Sequence, residues 1–286
     1  MDSPAKLHHI IVLVFSLLLT SFSVNAEKPL TLGIHPYKSP HKLLRIYKPL
    51  ADHLSKQLNR PVNISIAKDY DTHIQQTGMN KLDIAYLGPA SYVKLVNQFG
   101  KKPVLARQAI NQKPTFQGKI IVRENSAIGT IEDLKGKRFA FGDPNSTMSH
   151  LVPRFMLIKK GVTASNLKRL DFLGSHDNVA LGVLSGDYDA GAVKEAVYYK
   201  YKPRGIKALA TTPALSEHLF VAGNHLSKKL TANIKHIFLN LKNNPDGLKA
   251  MMSIKKKMTG MVPATDADYD NLREILDTLK RHNIIQ

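Results

Sequence analysis

Short apolar runs alternate with stretches of helical periodicity along most of the chain, and no other feature restricts its fold as tightly. "LTLGI" (30–34) reads as a strand ending in the loop "HPYKSPHK". The next segment carries Leu43, Leu44, Tyr47, Leu50, Leu54 and Leu58 at helical spacing. "PVNISIAKDY" alternates as a strand, "DTHIQQTGMNKL" is a short helix, and "DIAYLGP" is a buried strand stopped by Gly88-Pro89. The pattern restarts at "GKIIVREN", with strands at "RFAFG", after "NLKRLDFLG" and at "YDAGAV", separated by helices that close at Gly161 and Gly186. From "HLFVAGN" onward the expectation is one strand and then three helical segments. Such alternation predicts an α/β chain with largely parallel sheets. Two units in series, with a tail long enough to pack back on the first, predict two lobes. The bounds are 27–115 with 221–286 for one lobe and 116–220 for the other.

The first 26 residues stand apart. A mildly basic "MDSPAKLHH" precedes the apolar "IIVLVFSLLLTSFSV", and Val24-Asn25-Ala26 supplies a small-x-small site. The run is shorter than the roughly 20 residues that span a bilayer, so it reads as an export signal cleaved after Ala26, which places the mature chain outside the cytoplasm. There is no cysteine. In an oxidising compartment the chain therefore relies on an ordinary hydrophobic core, and thiol chemistry is excluded. The formal net charge is +19, from 41 Lys and Arg against 22 Asp and Glu. These charges are dispersed rather than gathered into a basic tract with interleaved aromatics, which argues against nucleic acid as a partner. A positive field of this kind speeds encounter with a small anion.

The signatures of catalysis are missing. The chain has no G-x-S-x-G elbow, no phosphate loop ending in G-K-[ST] and no H-E-x-x-H helix. Its histidines are scattered, and no Asp/Glu pair is spaced for acid–base work. No enzyme, cofactor or metal is expected. In "RFAFGDPNSTMSHLVPR" (138–154), however, Ser146, Thr147 and Ser149 crowd the point where a strand passes into a helix. The first amides of a helix have no internal partner and carry partial positive charge, so they favour an oxyanion. Hydroxyls can rotate to donate to such an anion without adding charge. One hydroxyl is enough for capping; three in four residues exceed that need. Pro153 fits a first helical turn that begins near Ser149. His176, in "GSHDNV", lies at a second strand-to-helix junction. Tyr86 lies at the carboxyl end of a strand, where open α/β sheets hold ligands.

Taken in order, "YLGPASYV", "DLKGKRFAFGDPNST…LVPR" and "GSHDNVALGVLSGDYDAGAV" resemble the periplasmic binding proteins of phosphate, phosphite and phosphonate ABC transporters. The resemblance covers nearly all of the chain after residue 26. It implies the two-lobed fold of the second periplasmic-binding class, with a small anionic ligand in the cleft between lobes, a monomer, and an ABC permease as partner. Carried over by position, the family's hydroxyls fall on Ser146 and Thr147, its pocket tyrosine on Tyr86 and its histidine on His176. Tyr37 and Phe116 are weaker matches. Glu195 and Glu217 fall near the acidic residues that, in the family, receive the amine of aminoalkylphosphonates. The family's Ser-Thr-Ser-Gly is here Ser-Thr-Met-Ser, so a thioether stands where a third hydroxyl is usual, and Ser149 is the available substitute. A second role compatible with this fold is a ligand sensor presenting its closed form to a membrane signalling receptor, including for a ligand that is not a phosphonate.

Overall fold

Each helix forms where the sequence offers one apolar stripe and a terminator. The helix Pro40–Leu58 buries Leu43, Tyr47, Leu50 and Leu54 along one face. It begins on a proline and ends at Asn59, whose φ of 48° is the left-handed turn that stops a helix. The helix His176–Ser185 is capped by the Ser175 hydroxyl and ends at Gly186, at φ 88°. The computed structural model describes residues 27–285, so the expected export segment lies outside the described residues.

In chain order the strands are β1 (Leu30–Ile34), β2 (Val62–Ile66), β3 (Ile84–Leu87), β4 (Val104–Ile110), β5 (Thr115–Phe116), β6 (Gly118–Arg123) and β7 (Arg138–Phe141). They continue with β8 (Arg169–Phe172), β9 (Ala190–Lys194), β10 (Ile206–Thr211), β11 (Leu215–Ser216), β12 (Leu219–Ala222) and β13 (Met258–Val262). One sheet runs β13-β4-β12-β3-β1-β2 and a second runs β10-β6-β9-β7-β8, giving two lobes. The chain leaves the first sheet after β4 and returns to it at β12. The two crossings meet as a small antiparallel ribbon of β5 and β11.

Both sheets are mixed, which corrects the expectation of largely parallel ones. β1 lies parallel to β2 and β3, but β12 inserts antiparallel between β3 and β4, and β13 is antiparallel to β4. In the second sheet β7 is parallel to β8 and β9, whereas β6 and β10 run against their neighbours. The antiparallel members flank the two crossings, where the chain no longer follows strand–helix–strand units. β13 also replaces part of the expected helical tail: "MTGMV" is short, contains glycine and has no clear alternation to betray it.

Alternation along the strands divides the cores. Ile84 and Tyr86 of β3 face a core built with the helix Pro40–Leu58. Ala85 and Leu87 face another, shared with the helices Pro89–Phe99 and Asp270–Arg281. Ile120 and Val122, against Ile121, split the second lobe in the same way. Met148, Leu151 and Val152 of the second lobe enter the first lobe's core beside Leu215, Leu219 and Tyr269.

Candidate functional site

A cavity of about 460 Å³ opens between the lobes. The loop after β1 and the end of β3 line it from the first lobe, the turn after β7 and the end of β9 from the second, and residues of the two crossings complete the lining.

Its best-defined wall is the hydroxyl turn. β7 stops at Gly142, where a Cβ would sit 2.5 Å from the Ser149 Oγ, so a side chain there would push the turn away. Thr147–Leu151 then form a single π-helical turn before the α-helix Val152–Lys159. Helical structure thus begins at Thr147, and Pro153 opens the α-helical part. Widened turns of this type recur at functional sites because they release backbone groups from the regular ladder. The amides of Thr147 and Met148 have no protein partner among the described residues.

The side chains here share one arrangement. The Ser149 amide donates to Ser146 Oγ at 3.2 Å. The Ala90 amide, from the first turn of Pro89–Phe99 in the other lobe, donates to Thr147 Oγ1 at 3.1 Å. Each oxygen is held as an acceptor, so each hydroxyl proton remains available for a ligand. His176 follows the same rule, because its Nδ1 accepts the Lys194 amide at 3.0 Å. Burial, aided by Lys194, pushes this imidazole well below its ordinary pKa, so the neutral ring carries its proton on Nε2, as a donor.

The other expected residues divide. Tyr37, Tyr86 and Phe116 all line the cavity. The Tyr86 hydroxyl donates to Gln108 Oε1 at 3.3 Å, and its ring stacks on His218 at 5.5 Å, so it contributes a wall. The Tyr37 hydroxyl lies 3.2 Å from that of Tyr47. Ser149 is not among the lining residues. Fully buried, it donates its hydroxyl to the Ala192 carbonyl of β9 and ties the turn to the sheet. It therefore does not replace the hydroxyl absent at Met148. Met148 borders the cavity but is 1% exposed, with its sulfur 3.4 Å from Thr212 Oγ1. Here the unusual residue seals the joint between lobes.

Several lining residues carried no sequence signal. Ser91 is buried with its hydroxyl unpartnered, one residue beyond the Ala90 amide. His35 is buried with both ring nitrogens unpartnered, between Tyr37, Tyr70, Tyr86 and His218 at centroid distances of 4.9–5.6 Å. Its position after β1 marked a loop, and nothing local distinguished it from the other scattered histidines. Burial, reinforced by His218, keeps it neutral.

The acidic residues are engaged. Glu217 is 3% exposed and accepts from Lys255 Nζ at 2.8 Å and from His218 through the ring at 2.7 Å and the amide at 2.9 Å. Burial alone would raise its carboxyl, but the Lys255 ammonium and His218 hold it well below the usual range. Glu195 pairs with Lys119 at 3.4 Å. Asp177 pairs with Lys200 and accepts the Tyr201 hydroxyl at 2.9 Å. No cluster of metal-ligating side chains occurs among the described residues.

Comparison with known proteins gives this geometry a context. Residues 32–269 match the family model described as the periplasmic substrate-binding protein of a phosphonate ABC transporter. The chain is 28% identical over 274 residues to the phosphate-import protein of Mycolicibacterium smegmatis, covering 87% of this chain and 85% of that one. It is 28% identical over 242 residues to the phosphonates-binding periplasmic protein of Escherichia coli, covering 81% and 71%. Its fold superposes with a TM-score of 0.79, at 26% identity, on the Prochlorococcus marinus protein solved with methylphosphonate, covering 90% of this chain and 99% of that one.

Proposed function

The chain belongs to the family of periplasmic substrate-binding proteins of phosphonate ABC transporters, and from that premise we propose that its lobes close on a small phosphorus oxyanion gripped by Ser146 and Thr147. It is a binding protein rather than an enzyme, and its role in import implies a membrane permease as partner. One observation carries the assignment of the grip: both hydroxyls, and His176 beside them, have their acceptor positions filled by backbone amides and their protons left over. A phosphonyl or phosphate group is a set of acceptors, so it complements such donors without reorganisation. The unpartnered Thr147 and Met148 amides and the Ser91 hydroxyl extend the set.

Affinity arises from contacts made only in the closed form, which is the form a permease would recognise. We place the bending points at the two crossings, 111–117 and 212–218, because the β5–β11 ribbon is the covalent link between sheets. The exported chain is taken to start at Glu27 and to act as a monomer. The test is a thermal-shift titration of the mature protein with phosphate, phosphite, methylphosphonate, 2-aminoethylphosphonate and sulfate. Ligand at a hundred times its dissociation constant adds about 2.7 kcal/mol. A shift with a phosphorus compound that is lost in Thr147→Ala supports the grip; no shift with any phosphorus compound contradicts it.

A further inference from the structure

We infer that the preferred ligand carries a second acidic group, a carboxylate on a phosphonate being the simplest case, and that Lys194 receives it. This deepens the reading above and rests on it. The cavity's charges support it when each is followed to its partner. Three acidic residues line the space, Asp177, Glu195 and Glu217, and each already holds a lysine: Lys200, Lys119 and Lys255 respectively. Glu217 is further saturated by two bonds from His218. Each lining carboxylate is thus already balanced by a lysine, and none adds net negative charge to attract an ammonium arm. The opposite sign is in excess, because Lys38, Lys113 and Lys194 line the same space without a place in those pairs.

Lys194 is the best placed of the three. It ends β9, and its amide is fixed by His176, so its backbone is rigid beside the oxyanion donors. Its ammonium lies 5.4 Å from the centre of the Tyr37 ring, and Lys38 lies 5.7 Å from the same ring. That aromatic face, which a quaternary ammonium would otherwise use, is already occupied by the protein's own cations. Burial, with Lys255 and Lys38 nearby, lowers the Lys194 pKa to about 8. The group is thus a half-buried, partly desolvated cation at neutral pH, an arrangement that an anion relieves. The cavity volume of about 460 Å³ falls in the range of sites for organic ligands, well beyond the needs of a bare oxyanion.

Calorimetric titration of the mature protein tests this with methylphosphonate, phosphonoacetate, 3-phosphonopropionate and 2-aminoethylphosphonate. At least one phosphonocarboxylate should bind about ten- to a hundredfold more tightly than methylphosphonate, the ratio expected for a charge-assisted contact. 2-Aminoethylphosphonate should bind more weakly than methylphosphonate. Lys194→Met should collapse the carboxylate-to-methyl ratio towards one, and Lys194→Arg should retain most of it. Phosphonocarboxylates no tighter than methylphosphonate, an aminoethyl compound as tight or tighter, or a ratio surviving Lys194→Met would each overturn the inference while leaving the phosphorus grip intact. Absence of binding by all four compounds would overturn both.

Discussion

Two sets of residues lining one cavity solve opposite problems. In the Ser146–Thr147 set the donors are neutral, and the Ser146 and Thr147 hydroxyls are each preset by a backbone amide that fills the acceptor side. In the Lys194–Glu217 set the groups are charged, and all but a few lysines cancel one another in pairs. Neutral preset donors suit a group the site must always hold, because they demand little reorganisation when the ligand arrives. Charged groups in a desolvated space suit discrimination, since a ligand of the wrong sign loses what the right one gains. The contrast teaches that the grip and the choice of ligand are carried by different residues and can be broken separately.

The largest effect is expected in the charged set. Glu217→Gln leaves Lys255, which is half-buried, and His218 without the buried carboxylate that unites them, and removing that member costs up to about 3 kcal/mol. Chemical denaturation of the variant should show a lower midpoint with an unchanged slope. The same carboxyl gives a pH signature. Because its folded pKa is depressed, its contribution is present above the unfolded value of about 4.3 and is lost as pH falls below it towards the folded pKa. The acid limb of wild-type stability should therefore flatten in Glu217→Gln.

Next in size is the neutral set. Thr147→Ala removes a ligand donor and the acceptor for the Ala90 amide, and should weaken methylphosphonate binding by about 1.5–3 kcal/mol, one to two decades. Thr147→Ser should keep most of the affinity. A smaller, pH-dependent effect separates the sets again. The cation of Lys194 faces Lys38, Lys255, Glu217, Asp177 and three neutral imidazoles, those of His35, His176 and His218. It is protonated below about 8. The advantage of a phosphonocarboxylate over methylphosphonate should thus hold at pH 7 and decline as pH rises through 8, with proton uptake on binding near that pH. Taking methylphosphonate as the reference cancels the ligand's own phosphonyl titration. The smallest change is expected from Ser149→Ala. It removes the bond to the Ala192 carbonyl and about 1 kcal/mol of stability, but no ligand contact.

How far the sequence reached follows the same division. The local chemistry of strand-to-helix junctions was legible, and Ser146, Thr147 and His176 do line one cavity. Ser149 could not be read correctly, because a π turn rotates it towards β9, and no residue spacing announces a π turn. Tyr86 and Tyr37 were found by position, but their hydroxyl partners, Gln108 and Tyr47, come from elements that only the folded chain brings near. Glu217 was placed near the site by resemblance, yet its neutralisation by Lys255 depends on a contact 38 residues away in sequence. Ser91 and His35 were invisible for a related reason: burial without a partner is a property of the assembled lobes. The antiparallel insertion of β12 was hidden too, since a strand that returns from another lobe carries no local mark of its direction.

The most direct test is a crystal structure of the mature protein with methylphosphonate, because that ligand has a polar end and an apolar end of its own. The account predicts phosphonyl oxygens about 3 Å from Ser146 Oγ and Thr147 Oγ1, with the methyl group directed towards Lys194 and Tyr37. A phosphonyl group seated on Lys194 and Lys255, with the methyl group against Ser146 and Thr147, would contradict it.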